Sequence, residues 1–368
     1  MDKNIEKIIN DIVWWIPFKK LRNNIRNILF DIYNKIDFLN NFISNNIDSK
    51  INNNYNILYN SIRNSTPQAY IDVVEISLAY HCNLNCYSCM HFSQLASEKY
   101  YDIEVFEKDI KRLSELTNGL INTFHLMGGE PLLNKNCKDY FYILRKYFKN
   151  SSIWLVTNGV LLLKQDENFW LSCKNNNIEI HPTKYPINID YDNIKKICLD
   201  YNIPLIFYNY KNVESIKVDL DLYGNQDAFS QFINCLGANN CIQLDNGKLF
   251  TCSISAYINY FNNYFNKNIP ITEYDYIDIY KVNNYNEILF FLSKPIPLCK
   301  YCNNINWKTI GEWKISTKSI DEYTTRPDQT RPDQTRPDLI VICKEYIQFY
   351  NNLKIEKLQP MIRLKNVA

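Results

Sequence analysis

After Pro17, the apolar positions Phe18, Leu21, Ile25, Ile28, Leu29, Ile32, Ile36 and Leu39 recur at spacings of three and four. That is the period of one face of an α-helix. The knot Ile12-Val13-Trp14-Trp15-Ile16 precedes it, and Lys19, Lys20, Arg22 and Arg26 make the first half of the helix basic. Two readings stand for residues 1–65, an amphipathic helical extension. The helix packs on the protein's own body or a second copy, or residues 12–43 meet a membrane surface or a partner. The Asn-rich stretch Ser44–Asn60 reads as a linker.

From residue 70 the pattern changes. Apolar runs at 73–79, 121–127, 153–157, 178–181 and 204–208 predict buried strands, with a sixth at 215–220. Helical spacing lies between them: Val105, Phe106, Ile110, Leu113 and Leu116, then Tyr140–Phe148, 166–175 and 191–201. Asp102 is an N-cap candidate and Asn118-Gly119 a stop signal. Strand–helix alternation predicts an α/β fold with a parallel sheet, right-handed crossovers and its chemistry at the C-terminal ends of the strands.

The net charge of +2 over 368 residues offers no electrostatic case for nucleic acid. Twelve cysteines are many. No apolar signal-peptide core and no run of roughly 18 apolar residues stands out, so the expectation is a reducing cytoplasm. There, clustered cysteines bind metal or do redox chemistry. Residues 320–338 carry an Arg-Pro-Asp-Gln-Thr repeat (326–338), which reads as an exposed loop because the prolines forbid helix. A last helix, Leu339–Leu353, falls in the C-terminal part 339–368.

The segment His81-Cys82-Asn83-Leu84-Asn85-Cys86-Tyr87-Ser88-Cys89 follows the first strand. Three thiolates at C-x3-C-x2-C spacing can hold three corners of an iron–sulfur cube, leaving one iron open. A zinc site completed by His81 or His91 is the alternative.

The spacing resembles the signature of the radical S-adenosylmethionine (radical SAM) superfamily. There, S-adenosylmethionine chelates the open iron and its cleavage yields a hydrogen-abstracting radical. The family's usual aromatic before the third cysteine is Ser88 here, with Tyr87 one earlier. Met127-Gly128-Gly129-Glu130-Pro131 ends the second strand and resembles the family's GGE motif. The resemblance implies that Gly128, Gly129 and Glu130 meet the ammonium of S-adenosylmethionine. Asn158, in Thr157-Asn158-Gly159, and Thr183, in the group His181, Thr183 and Lys184, would line the same rim. It covers 70–220 and implies a partial (β/α)6 barrel.

A second set follows at 230–310. Gln243–Phe250 reads as a hairpin on an Asn-Gly turn that returns Cys252 towards Cys235, and Cys299-Lys300-Tyr301-Cys302 is a chelating pair. The pattern C-x11-G-x4-C…C-x2-C resembles the auxiliary-cluster domain of radical SAM enzymes in its shortened twitch form, since the further cysteines of the full SPASM form are missing apart from Cys343. That resemblance implies a second [4Fe–4S] cluster on Cys235, Cys252, Cys299 and Cys302, with Cys241 an alternate to Cys235. A zinc site on the same thiolates is the alternative. Cys137, Cys173 and Cys198 read as buried small hydrophobes, and His125 as a satisfied core residue.

These resemblances imply an oxidoreductase with two [4Fe–4S] clusters and S-adenosylmethionine, served by a reducing donor such as flavodoxin or ferredoxin. Val13–Arg22 is similar to N-terminal segments of bacterial surface-polysaccharide biosynthesis proteins, which tilts the substrate towards a small molecule or glycan-linked intermediate. It also leaves a contact at the inner membrane face open. A SPASM-type peptide-modifying enzyme is the second reading. A zinc-stabilised binding protein is the reading from another class.

Overall fold

The computed structural model of the chain describes residues 3–36, 70–208 and 212–324. The Asn-rich stretch 44–60, the repeat 326–338, the helix expected at 339–353 and Cys343 lie outside the described residues.

Two helices open the chain, α1 (Lys3–Val13) and α2 (19–36). Ile9, Val13 and Ile16 are buried, and Arg22 donates through Nε and Nη2 to the Ile16 carbonyl, closing the turn between the helices. No residue of α2 is buried.

The body alternates as its pattern predicts: β1 (Ile71–Ala79), α3 (Ile103–Thr117), β2 (Ile121–Gly128), α4 (Cys137–Tyr147), β3 (Ser152–Thr157), α5 (Glu167–Asn175), β4 (Ile178–Pro182) and α6 (Tyr191–Asp200). Asp102 caps α3, accepting from the amides of Glu104 and Val105, and Asn118 ends it in the left-handed region. Strands β1 to β4 pair in parallel in the order β4-β3-β2-β1. One face of this sheet packs through Val74, Ile76, Leu126 and Leu155 into a core with Phe106 and Phe141 of the helices. That face holds the strands rigid, so their C-terminal ends become a fixed rim.

Beyond β4 the expectation is only partly met. Residues 204–208 run parallel to β4, with Ile180 and Ile206 amides bonding to Pro204 and Ile180 carbonyls, but form only an isolated bridge. The sixth strand is a correction. Residues β5 (Glu214–Lys217) pair antiparallel with a distant segment in a separate two-stranded sheet. Only Ser215 of the four is buried, whereas β1, β2 and β4 are buried over most of their length.

After α7 (Ala228–Ile233), the expected hairpin forms as β6 (Ile242–Asp245) and β7 (Lys248–Phe250), with Asn246 and Gly247 both at positive φ. It does not stand apart. β6 pairs in parallel with β1, placing Glu75 opposite Gln243 in the main sheet. α8 (Ser253–Phe265), β8 (Tyr276–Asp278), α9 (Tyr285–Leu292) and β9 (Lys308–Glu312), the partner of β5, complete the described chain. A second core joins Tyr80 and Phe92, which flank the first cysteines, to Ile254, Phe261, Leu298 and Tyr323. The sheet is α/β and mostly parallel, compatible with a partial barrel, and its C-terminal half shares this core with the first cysteine loop.

Phe106 is fully buried between the rings of Tyr101 and Tyr140. Phe106→Ala is expected to cost about 3–5 kcal/mol of unfolding free energy, measured by chemical denaturation of the purified chain.

Candidate functional site

β1 ends at Ala79 and the chain turns into the first cysteine loop. The ends of β1 and β2 approach so closely that side chains have no room. A Cβ on Gly128 would lie 2.1 Å from the Ala79 carbonyl oxygen, and one on Gly129 would lie 2.1 Å from that of His81. The amides of Gly129 and Glu130 donate to those same carbonyls, at 2.8 and 3.1 Å. The two glycines therefore lock the end of β2 onto the backbone leading into Cys82.

Glu130 is fully buried. Its carboxylate accepts from the Leu132 amide (3.1 Å), the Thr157 hydroxyl (2.7 Å) and the Asn158 amide (2.8 Å). Burial pushes its pKa up to about 7 against the pull of these donors. The carboxylate thus faces inward and joins β2 to the end of β3. Asn158 donates from its side chain to Asn83 Oδ1 at 2.7 Å and lies 3.9 Å from Cys82 Sγ. The Thr183 amide donates to the Thr157 carbonyl at 2.9 Å. The rim residues expected from sequence are thus brought together with the loop, Glu130 as its internal tie.

The thiols of Cys82, Cys86 and Cys89 feel one another. Burial raises the pKa of Cys82 first, and Glu130, Cys89 and Cys86 add to it; Cys86 is raised by burial and then by Cys89. The Tyr185 hydroxyl feels all three and lies 3.7 Å from Cys86 Sγ. Cys82 and Cys89 receive backbone N–H groups of their own loop, Leu84 for the first and residues 91–93 for the second. A set of thiols that is half-buried, mutually repelling when ionised and supplied with N–H donors fits a cationic metal cluster. When bound, such a cluster would be held by Cys82, Cys86 and Cys89.

Ser88 occupies the position the family fills with an aromatic. Its φ is 52° and its side chain is turned into the protein, where its hydroxyl accepts from the Val218 amide at 2.9 Å. Its own amide donates to Glu322 Oε2. An aromatic ring has no place there. Glu322 also accepts from the Ser316 hydroxyl and the Thr317 amide and hydroxyl. Tyr87 and Ser316 amides bond to the Lys314 and Asn85 carbonyls, so residues 313–323 form a strap along the cysteine loop. No local signal in the sequence points to this strap.

The structure also brings the second set together. Cys302 is raised by burial and then by Cys252, Cys299 and Cys235, and Cys235 is pushed up to about 11 by burial and Cys252. Cys241 is felt by Tyr208 instead. Among the described residues, no three His, Cys, Asp or Glu side chains converge as a single metal ion needs. Cys137, Cys173 and Cys198 are buried in the helix–sheet core, as expected.

The other sheet face carries a polar row that sequence reasoning passed over. Gln243, Glu75, His125, Trp154 and Glu179 are register partners across five strands. His125 Nδ1 lies 3.3 Å from Glu75 Oε1, and its ring stacks on Trp154, which stacks on His181. His125 Nε2, His91 Nε2 and Trp154 Nε1 are buried without a hydrogen-bond partner, His91 Nε2 lying 3.9 Å from Glu75 Oε2. His125 is therefore half satisfied, not fully as expected. The available signal was a polar residue at the centre of each apolar strand.

The Radical SAM superfamily model matches residues 76–182, spanning both the cysteine loop and the Gly128-Gly129-Glu130 tie. Residues 76–182 are a radical SAM domain. The superfamily is one of enzymes. The radical SAM domain is similar to GTP 3′,8-cyclase of Nautilia profundicola, 32% identical over 92 residues, or 25% of this chain and 29% of that protein. It is likewise similar to GTP 3′,8-cyclase of Petrotoga mobilis, 33% identical over 94 residues, 26% and 29% of the two chains. The chain thus spans less than a third of the length of these relatives. Among solved structures, BtrN in complex with AdoMet and 2-DOIA aligns over 65% of this chain and 95% of that one, at 15% identity and a TM-score of 0.42.

Gly129→Ala forces a methyl into the His81 carbonyl. It is expected to lower iron uptake by the first site at least tenfold, read as iron bound per chain after anaerobic reconstitution, while Gly119→Ala, equally a glycine replacement and strained by its φ of 72° but with open space around it, retains the parent's iron.

Proposed function

We propose that the chain is a radical SAM enzyme that reductively cleaves S-adenosylmethionine and removes a hydrogen atom from a hydroxyl-rich, sugar-type substrate. The observation that carries the first half is the lock of Gly128-Gly129-Glu130 onto a loop of three mutually interacting, half-buried thiols within the matched domain. When bound, a three-cysteine [4Fe–4S] cluster supplies one electron to the sulfonium of S-adenosylmethionine and thereby a hydrogen-abstracting radical. The chain's own residues do the rest. Cys82, Cys86 and Cys89 hold the metal, and Asn158 and the backbone of 128–130 and 157–158 offer polar groups beside it. Glu130 fixes that geometry from inside.

The second set, Cys235, Cys252, Cys299 and Cys302, suits an auxiliary cluster with every iron held by protein. A fully ligated cluster accepts an electron rather than binding a substrate, making the net reaction a two-electron oxidation. Flavodoxin or ferredoxin would supply the initial electron. The resemblance of Val13–Arg22 to surface-polysaccharide proteins supports the sugar-type substrate.

The N-terminal helices supply the location. Trp14, Trp15 and Phe18 are 71%, 69% and 69% exposed, beside Lys19, Lys20, Arg22 and Arg26. Exposed indoles next to cations suit an anionic membrane surface, on the inner face of the membrane. No helix among the described residues is long and apolar enough to cross it.

Anaerobic reconstitution is expected to load about eight irons per chain, and dithionite with S-adenosylmethionine to release 5′-deoxyadenosine. Cys86→Ala should abolish that release. Zinc in place of iron, with no release, would end this reading in favour of a zinc-stabilised binding protein. For the location, the chain should cosediment with phosphatidylglycerol vesicles at least tenfold better than with phosphatidylcholine ones. Replacing Trp14 and Trp15 by Ser should remove that preference; equal recovery with both lipids contradicts it.

A further inference from the structure

The three thiols of the first loop are not served alike. Cys89 takes N–H groups from its own loop's backbone, and Cys82 takes one from Leu84 with the Asn158 side-chain amide farther off at 3.9 Å. Cys86 draws its donors from side chains distant in sequence: the Trp313 indole Nε1 donates to its Sγ at 3.3 Å and the Tyr185 hydroxyl lies at 3.7 Å. The two rings meet edge to face at 5.5 Å between centroids. Trp313 sits at the head of the strap, where Cys86 and Ile315 form an antiparallel bridge and the Lys314 amide is anchored on Ser215 Oγ. Its position is therefore fixed by backbone pairing on both sides.

We infer that Trp313 is a positioning residue of the first cluster, setting its reduction potential through the N–H···Sγ bond to Cys86. The inference rests on the radical SAM reading proposed above. Reducing a cluster adds negative charge, which spreads onto its sulfurs. A fixed N–H donor stabilises that reduced state more than the oxidised one and raises the potential. The bond is part-buried, which limits its replacement by water when it is lost.

The strap also ties the potential to the other half of the molecule. It leaves the second cysteine set at Cys302, is held to Asp219 by the side chain of Asn303 and the indole of Trp307, pairs as β9 with β5, and then delivers Trp313 to Cys86. A shift in the 299–312 segment would move the donor.

The test is a redox titration of the anaerobically reconstituted full-length chain, followed by EPR of the signal that responds to added S-adenosylmethionine. Trp313→Phe keeps a ring against Tyr185 and removes only the N–H. The reduced-to-oxidised ratio of that cluster is expected to fall three- to tenfold at any fixed potential, about 30–60 mV. The other cluster's midpoint and the iron content should stay at the parent's values. Tyr185→Phe should give a smaller shift in the same direction. An unchanged midpoint in Trp313→Phe with full iron overturns the inference and leaves the radical SAM reading intact, whereas absence of any signal responsive to S-adenosylmethionine in the parent chain overturns that reading itself. Should Trp313→Phe bind no iron, the parent chain labelled with [15N-indole]tryptophan decides. Pulsed EPR is expected to show a 15N coupling to the reduced cluster, and no coupling refutes the bond.

Discussion

The site depends on one buried carboxylate. Glu130 accepts three hydrogen bonds from the ends of two neighbouring segments, and its own amide holds the carbonyl of His81. A carboxylate withdrawn from water is tolerable only when donors surround it. Here the donors belong to the loops after β2 and β3, so satisfying the charge and fixing the rim are one event. The glycines complete the arrangement: without a Cβ at 128 and 129 the backbones close to hydrogen-bonding distance, and the cysteine loop inherits the rigidity of the sheet.

A second buried carboxylate plays the same part from the other side. Glu322 gathers the Ser88 amide, the Ser316 hydroxyl and the Thr317 amide and hydroxyl. Tyr323 follows it into the shared core, and its hydroxyl bonds to the Cys89 carbonyl. The cysteine loop is thus held between two buried carboxyl groups, one from the parallel sheet and one from the end of the described chain. This explains why the C-terminal half does not form an isolated module. Its hairpin extends the main sheet, and its apolar residues bury Tyr80 and Phe92.

Much of this was legible in the sequence, for local reasons. Strands β1 to β4 and helices α3 to α6 announce themselves by period, and Asp102 and Asn118-Gly119 mark the ends of α3 by capping chemistry that acts within four residues. The Asn246-Gly247 turn is of the same kind. The Asn-Gly hairpin pointed Cys252 towards Cys235, while the grouping of Cys235, Cys252, Cys299 and Cys302 came from the resemblance to an auxiliary-cluster domain. What escaped were long-range pairings. Residues 215–220 carry an apolar-looking run, yet the start of that run is decided by a partner 90 or so residues away, with which Glu214–Lys217 pair antiparallel. Ser88 reads as a defect until Val218 and Glu322 are beside it. Trp313 has no local pattern to give it away.

The central claim is that Cys82, Cys86 and Cys89 hold a four-iron cluster with one iron open to a ligand. Mössbauer spectroscopy of the chain reconstituted with 57Fe, recorded before and after adding S-adenosylmethionine, tests it most directly. The account predicts that one iron site of one cluster changes its isomer shift while the remaining irons keep theirs. Spectra that are identical with and without S-adenosylmethionine, from a chain carrying its full iron, would contradict it.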